Sequence, residues 1–136
     1  MRKSIPSDKQ EELLIQLIDK GYSSFSGVPD SSLNVFVKSL DFYDVSHVRC
    51  TWEAEAVGVA AGAFLAGKKA CVYMQNSGMC FALNPLTSLC IPYGIDMMLV
   101  IGHRHTLPQH KVMGECDAAI LTTIGWSNYI FVESRG

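Results

Sequence analysis

Five short runs of apolar, aromatic or β-branched residues punctuate the chain, at 22–26, 45–51, 70–74, 97–101 and 129–132, and the stretches between them carry helical spacing. The fourth run, Met-Met-Leu-Val-Ile at 97–101, has no polar position at all, so a strand formed from it is covered on both faces. Strands of this kind alternating with helices demand right-handed crossover connections. The fold expected is therefore α/β, a three-layer, mostly parallel sheet with helices on both faces. In such sheets ligands bind beyond the carboxyl ends of the strands, and the loops 27–31, 51–53, 75–81 and 102–110 all leave strands at that edge.

The helical stretches have readable ends. Ser7 with Gln10 forms a capping-box pattern for a helix over about 8–20, with Leu13, Leu14, Leu17 and Ile18 on one face and Gly21 as its stop. Leu33, Phe36, Val37 and Leu40 repeat at helical spacing, and an Ala-rich helix spans about 53–66 before Gly67-Lys68-Lys69. A fourth helix ends near Cys90, with Asn84-Pro85 available as N-cap and first residue. Residues 102–114 read as an extended polar loop and 118–124 as a last helix.

A length of 136 residues is one domain, 1–136. Hydrophobic content of 49% against 18% charged predicts that some surface is buried against another chain in an oligomer. With a net charge of −2 and scattered Lys and Arg, neither nucleic acid nor an anionic membrane is an expected partner. No apolar run approaches the ~20 residues of a membrane span, and the start of the chain lacks a signal core, so a cytoplasmic protein is expected. The five cysteines are odd in number and form no Cys-x-x-Cys pair, which predicts reduced thiols.

The stretch Thr51–Gly62, TWEAEAVGVAAG, places one carboxylate beside a small-residue helix. Thr51 can cap the helix, Glu53 falls in its first turn, and the Ala and Gly residues invite close approach. Glu53 and Glu55 lie about 200° apart around the helix, so only one of them can face a buried site. Read alone, Glu53 is a first-turn carboxylate favoured by the helix dipole; its apolar neighbours Trp52, Ala54, Ala56 and Val57 equally suit a proton-sharing acid. Gly27–Ser31 is a turn with Asp30 or Ser31 as cap, or a polar rim to a site. Asn76, Ser77 and Gly78 offer amide, hydroxyl and open backbone groups. His103, Arg104, His105, Gln109 and His110 form either a solvated polar loop or an anion site built on the Arg fork. A His-x-His metal site competes, but no Asp, Glu or Cys lies close in the loop, and no metal ligand is assigned.

The Thr51–Gly62 stretch resembles the glutamate motif of thiamine-diphosphate enzymes. Gly27–Ser31, Met74–Gly78 with Asn84–Leu89, and Pro108-Gln109-His110 are similar to the phosphonopyruvate and sulfopyruvate decarboxylases in particular. Together they cover most of 21–114. The resemblance implies the pyrimidine-binding domain fold, thiamine diphosphate as cofactor, and Glu53 hydrogen-bonded to the pyrimidine N1′. It places Gly27, Pro29, Asn76, Ser77 and Gly78 with Glu53 at the cofactor. It places Asp30 near the substrate as a proton relay, with Ser31, Asn76, His103, Arg104, Gln109 and His110 on a small anionic 2-oxo acid.

The products implied are carbon dioxide with phosphonoacetaldehyde or sulfoacetaldehyde. Met74–Gly78 and Asn84–Leu89 lean toward the first substrate, Ala63–Lys69 and Tyr93-Gly94-Ile95 toward the second. The family's Gly-Asp-Gly with a later Asn is absent, so the expected assembly is a hetero-oligomer whose partner subunit holds magnesium (Mg2+) and the diphosphate. The chain departs from the family at Cys80-Phe81, where members carry Gly-Asn. A non-catalytic binding or regulatory module that keeps the fold is the alternative.

Overall fold

A computed structural model describes residues 3–134 of the chain. Six strands, β1 (Ser4–Pro6), β2 (Tyr22–Gly27), β3 (Ser46–Arg49), β4 (Lys69–Gln75), β5 (Met98–His103) and β6 (Tyr129–Glu133), form one sheet in the order β1-β6-β5-β4-β2-β3. Every neighbouring pair is parallel. The helices are α1 (Gln10–Asp19), α2 (Asn34–Ser39), α3 (Glu53–Leu65), α4 (Met79–Pro85) and α5 (Pro108–Ile124). Among the described residues no helix is long and apolar enough to cross a membrane.

Strand alternation builds two cores. On one face, Phe25, Cys71, Tyr73, Val100 and Val132 meet Leu13, Leu14 and Leu17 of α1 and Phe36 and Val37 of α2. The Phe36 ring sits edge-on to both Phe25 and Tyr73, with centroids 6.2 and 6.1 Å away. On the other face, Val72, Met74, Leu99, Ile101 and Phe131 meet Ala56, Val57, Ala60 and Ala61 of α3, Met79 and Ala82 of α4, and Leu121 of α5. Neighbouring residues of one strand thus serve opposite layers.

The connection from β2 to β3 runs toward one edge, whereas the chain from β3 crosses back over β2 to β4 and then continues through β5 and β6. The direction reverses between β2 and β4, which opens a crevice beyond their carboxyl ends, the place where such folds bind ligands.

Several local expectations are corrected. β1 is three residues long and contains Pro6, too short to register as a periodic run, yet it pairs with β6 at the sheet margin where a missing donor is tolerated. The N-cap of α1 is Lys9 rather than Ser7, and the Lys9 side chain makes no cap hydrogen bond. Gln10 Nε2 instead donates to the Ser7 and Ser32 carbonyls while its Oε1 accepts from Phe36 N, so a buried amide ties α1 to the start of α2. Trp52, not Thr51, is the N-cap of α3, and no side chain caps it.

α4 begins at Met79, which leaves Asn84-Pro85 at its end, and Leu86–Cys90 continue as a wide π turn. Pro85 has no N–H to give the preceding turn, and Thr87 Oγ1 donates to the Leu83 carbonyl there. α5 starts at Pro108, ten residues before the expected 118. The proline presets the first helical position, and the exposed residues Gln109, Lys111, Val112 and Glu115 hide the helical period.

Candidate active site

Glu53 opens α3 at the crevice. It is 8% exposed, and its carboxyl accepts no hydrogen bond from any described residue. It lies directly on Gly78: a methyl group there would stand 2.2 Å from Glu53 Oε2, so any side chain at this position would force the Glu53 carboxyl aside. Glu55, two positions on, is exposed. The two glutamates therefore separate as their helical spacing requires. The small residues of α3 divide likewise, Ala56, Ala60 and Ala61 packing on the sheet while Gly58 and Gly62 have nothing within 4 Å of where a Cβ would stand. The close approach expected of these glycines is not made by any described residue.

Gly27 ends β2 under the same constraint, because a Cβ would lie 2.3 Å from the Tyr73 carbonyl of the adjacent strand. Beyond it, Asp30 caps the turn at Ser31–Leu33. Asp30 Oδ2 accepts from Ser32 N at 2.9 Å and from the Ser32 hydroxyl, while Arg104 Nη1 reaches Asp30 Oδ1 at 3.4 Å. Two residues predicted from separate loops, with opposite charges, are thus brought together. One long contact leaves most of the Arg104 fork uncommitted. Gly102 has room for no Cβ either, since Ser32 Oγ lies 2.1 Å from that point.

Asn76 follows β4 and is fully buried. Its Nδ2 donates to the Arg104 carbonyl at 2.9 Å and to Asp117 Oδ2 at 3.0 Å, whereas Oδ1 is buried without a partner. Asp117 Oδ2 also meets His103 Nδ1 at 2.6 Å. On the other side of the imidazole, Nε2 stands 3.7 Å from Glu133 Oε2, and the His105 ring stacks on His103 with centroids 4.6 Å apart. Gly114 of α5 lets this loop pass, as a Cβ there would be 2.5 Å from His105 Cβ.

Asp117 and Glu133 were not anticipated from the sequence. A signal for Asp117 existed: it occupies the core register of α5, four residues before Leu121, where a carboxylate requires a buried partner. Glu133 joins only through the pairing of β6 with β5.

Other predicted residues stay apart. Gln109 is exposed and His110 half-buried in the first turn of α5, and neither makes a side-chain hydrogen bond or ion pair among the described residues. Pro29 and Ser31 are exposed, and Ser77 is half-buried. Ser31 lines a cavity of about 400 Å³ with Ser7, Gln10, Ser32, Asn34 and Ser134, which does not include Glu53. Cys80 and Phe81, the family departure, lie in the first turn of a regular α4 and leave the Gly78–Glu53 contact intact.

The cysteines are all free. Burial first, and Glu55 beside it, push the Cys50 thiol up to about 11; burial, with Asp96, does the same at Cys90. Thiols held protonated in this way are poor nucleophiles, so Cys50 and Cys90 are not candidates for that role.

No protein-family model matches the chain. Over 114 residues it is 33% identical to the sulfopyruvate decarboxylase subunit alpha of Methanococcus maripaludis, covering 79% of this chain and 68% of that protein. The corresponding subunit of Methanothermobacter thermautotrophicus is 36% identical over 73% of this chain and 61% of its own length. The phosphonopyruvate decarboxylase of Streptomyces viridochromogenes is 34% identical over 85% of the chain, but only 31% of that longer protein is spanned.

Among solved structures, the 2-oxoglutarate:ferredoxin oxidoreductase of Magnetococcus marinus superposes with a TM-score of 0.65 at 14% identity, over 92% of this chain and 28% of that one. A thiamin diphosphate-dependent enzyme isolated from Mycobacterium smegmatis gives 0.55 at 20%, over 91% and 30%. These two likenesses establish the fold. With a third of 114 aligned residues identical across two thirds of a whole alpha subunit, the chain belongs to the sulfopyruvate decarboxylase alpha-subunit family, to which one segment of the phosphonopyruvate decarboxylases is also similar.

Proposed function

We propose that this chain is the pyrimidine-binding subunit of a thiamine-diphosphate-dependent decarboxylase of 2-oxo acids bearing an anionic group at C3, sulfopyruvate or phosphonopyruvate. The observation that carries the reading is Glu53, a nearly buried carboxyl that its own chain leaves without a donor, held against the bare backbone of Gly78 at the crevice. A ring nitrogen sharing a proton with it would supply the partner that no described residue provides. Asn76 Oδ1, buried and unpartnered a few residues away, is a second acceptor awaiting a donor. These residues fit an aminopyrimidine, which presents ring nitrogen and exocyclic amine together.

In this reading Glu53, Asn76 and Gly78 hold the ring, with Gly27, Pro29 and Ser77 forming the walls. When bound, thiamine diphosphate supplies the carbon nucleophile and the electron sink for decarboxylation. Glu53 would share a proton with the ring nitrogen through Oε1 or Oε2. At the substrate end Arg104 draws in the sulfonate or phosphonate, and Asp30 beside it is placed to pass a proton as carbon dioxide leaves.

His103, Gln109 and His110 lie along the same loop and first turn, and Ser31 on the opposite rim. Magnesium and the diphosphate fall to a partner subunit. The exposed Trp52, Phe81 and Tyr93 support a surface made for another chain. A Glu53 kept buried without a partner argues against a non-catalytic module.

The test is reconstitution. The chain alone, given cofactor and Mg2+, releases no carbon dioxide from either 2-oxo acid; mixed with a partner carrying Gly-Asp-Gly it does, and Glu53→Gln in that mixture keeps cofactor binding while proton exchange at the cofactor's reactive carbon fails. Turnover by the single chain, or full activity in Glu53→Gln, would overturn the reading.

A further inference from the structure

We infer that His103, His105 and Glu133 form a binding site for a divalent transition-metal ion of the zinc class, separate from the magnesium of the cofactor. One ligand atom from each of the three lies within 4.8 Å of the others. Ligand atoms around a tetrahedral zinc ion with bonds of about 2.0–2.2 Å sit roughly 3.4 Å apart, so only a small contraction is required. His103 Nε2 and Glu133 Oε2 are already at 3.7 Å. His105 is exposed, and a turn of its side chain off the His103 stack brings a ring nitrogen to the same point.

What singles out this cluster is the group behind it. His103 Nδ1 is bonded at 2.6 Å to Asp117, which is fully buried and fixed in turn by Asn76 Nδ2 at 3.0 Å. A carboxylate on one imidazole nitrogen fixes the tautomer so that the other nitrogen presents its lone pair outward, the arrangement that orients histidines at metal centres. Two imidazoles and one carboxylate suit zinc, cobalt or nickel, whereas magnesium and calcium prefer all-oxygen shells. Three protein ligands leave a coordination position open. The ligands come from the end of β5, the loop after it and the end of β6, so the ion would clip the Arg104 loop to the sheet. Sequence spacing hides the site because its carboxylate lies 28 positions beyond the nearer histidine, His105.

The experiment uses the 136-residue chain stripped of metal, titrated with Co2+ and followed by visible absorption, with Zn2+ then displacing it. One equivalent should bind in the micromolar range with the intensity of a four- or five-coordinate centre, and excess Mg2+ should leave it in place. His105→Ala and Glu133→Gln should each weaken binding at least tenfold, and Asp117→Asn, a positioning change, by roughly 10–100-fold. His105 and Glu133 are not in the core, so those variants test the site even if Asp117→Asn fails to fold. A Cys80→Ser/Cys116→Ser double variant should bind as the parent does. Parental affinity in both His105→Ala and Glu133→Gln, loss of binding in the cysteine variant, or no Co2+ uptake by the parent would overturn the assignment.

Discussion

Glu53 and Asp117 are both carboxylates buried at the carboxyl edge of one sheet, and the chain treats them in opposite ways. Asp117 is fully engaged, taking Asn76 Nδ2 and His103 Nδ1 at one oxygen and Ala118 N at the other. Glu53 receives nothing from the described chain and rests on a glycine. A buried carboxylate that has its donors holds a fold in place, whereas one without them keeps its oxygens available to a donor on another molecule. The difference separates architecture from function more cleanly than burial, since Asp117 is the more buried of the two.

The sharpest way to break this comparison is at the glycine. Gly78→Ala pushes a methyl group into the Glu53 carboxyl, and loss of about 100-fold or more in the turnover of the assembled enzyme is expected, with the folded circular-dichroism spectrum kept. An active Gly78→Ala would mean that Glu53 has room to work elsewhere. Next in size is Asp117→Ala, which removes the acceptor of three donors at once; urea titration should show a loss of about 2–4 kcal/mol. A loss near zero would reduce Asp117 to an ornament of α5 and erase the contrast.

Arg104→Ala is smaller and kinetic. It should raise KM for the 2-oxo acid by the equivalent of about 1.5–3 kcal/mol while cofactor affinity holds, and equal effects on both would move Arg104 away from the substrate. Smallest is Glu55→Gln, on the exposed side of α3, for which stability and turnover should stay within about 0.5 kcal/mol of the parent.

Glu53 was legible because everything that defines it lies in one contiguous stretch: the strand before it, the first turn it occupies and the small residues after it. The α/β alternation was legible for the same reason, and the parallel sheet with two helical layers follows it closely. Asp117 was not. Its partners are 14 and 41 positions away, and the polar half of α5 that carries it reads as loop because its outer residues obscure the period. Gln10 shows the reverse error. A local pattern, Ser7 and Gln10, gave a plausible local bond, while the folded chain uses that amide for Ser32 and Phe36, contacts that exist only after α1 and α2 pack.

The bare backbones of the carboxyl edge also limit how the sequence can drift. At Gly27, Gly78, Gly102 and Gly114 a single added carbon meets a neighbour at 2.1–2.5 Å, so a side chain would have to move backbone at Gly27 and Gly114, the Glu53 carboxyl at Gly78 and the Ser32 hydroxyl at Gly102. On the outer side of α3 the opposite holds, because Gly58 and Gly62 face open space and alanine there would be accepted with a gain of up to about 1 kcal/mol each in the isolated chain. A mutational census of these six positions would therefore show two populations of one amino acid: four glycines crowded by what touches them, and two that no described residue approaches.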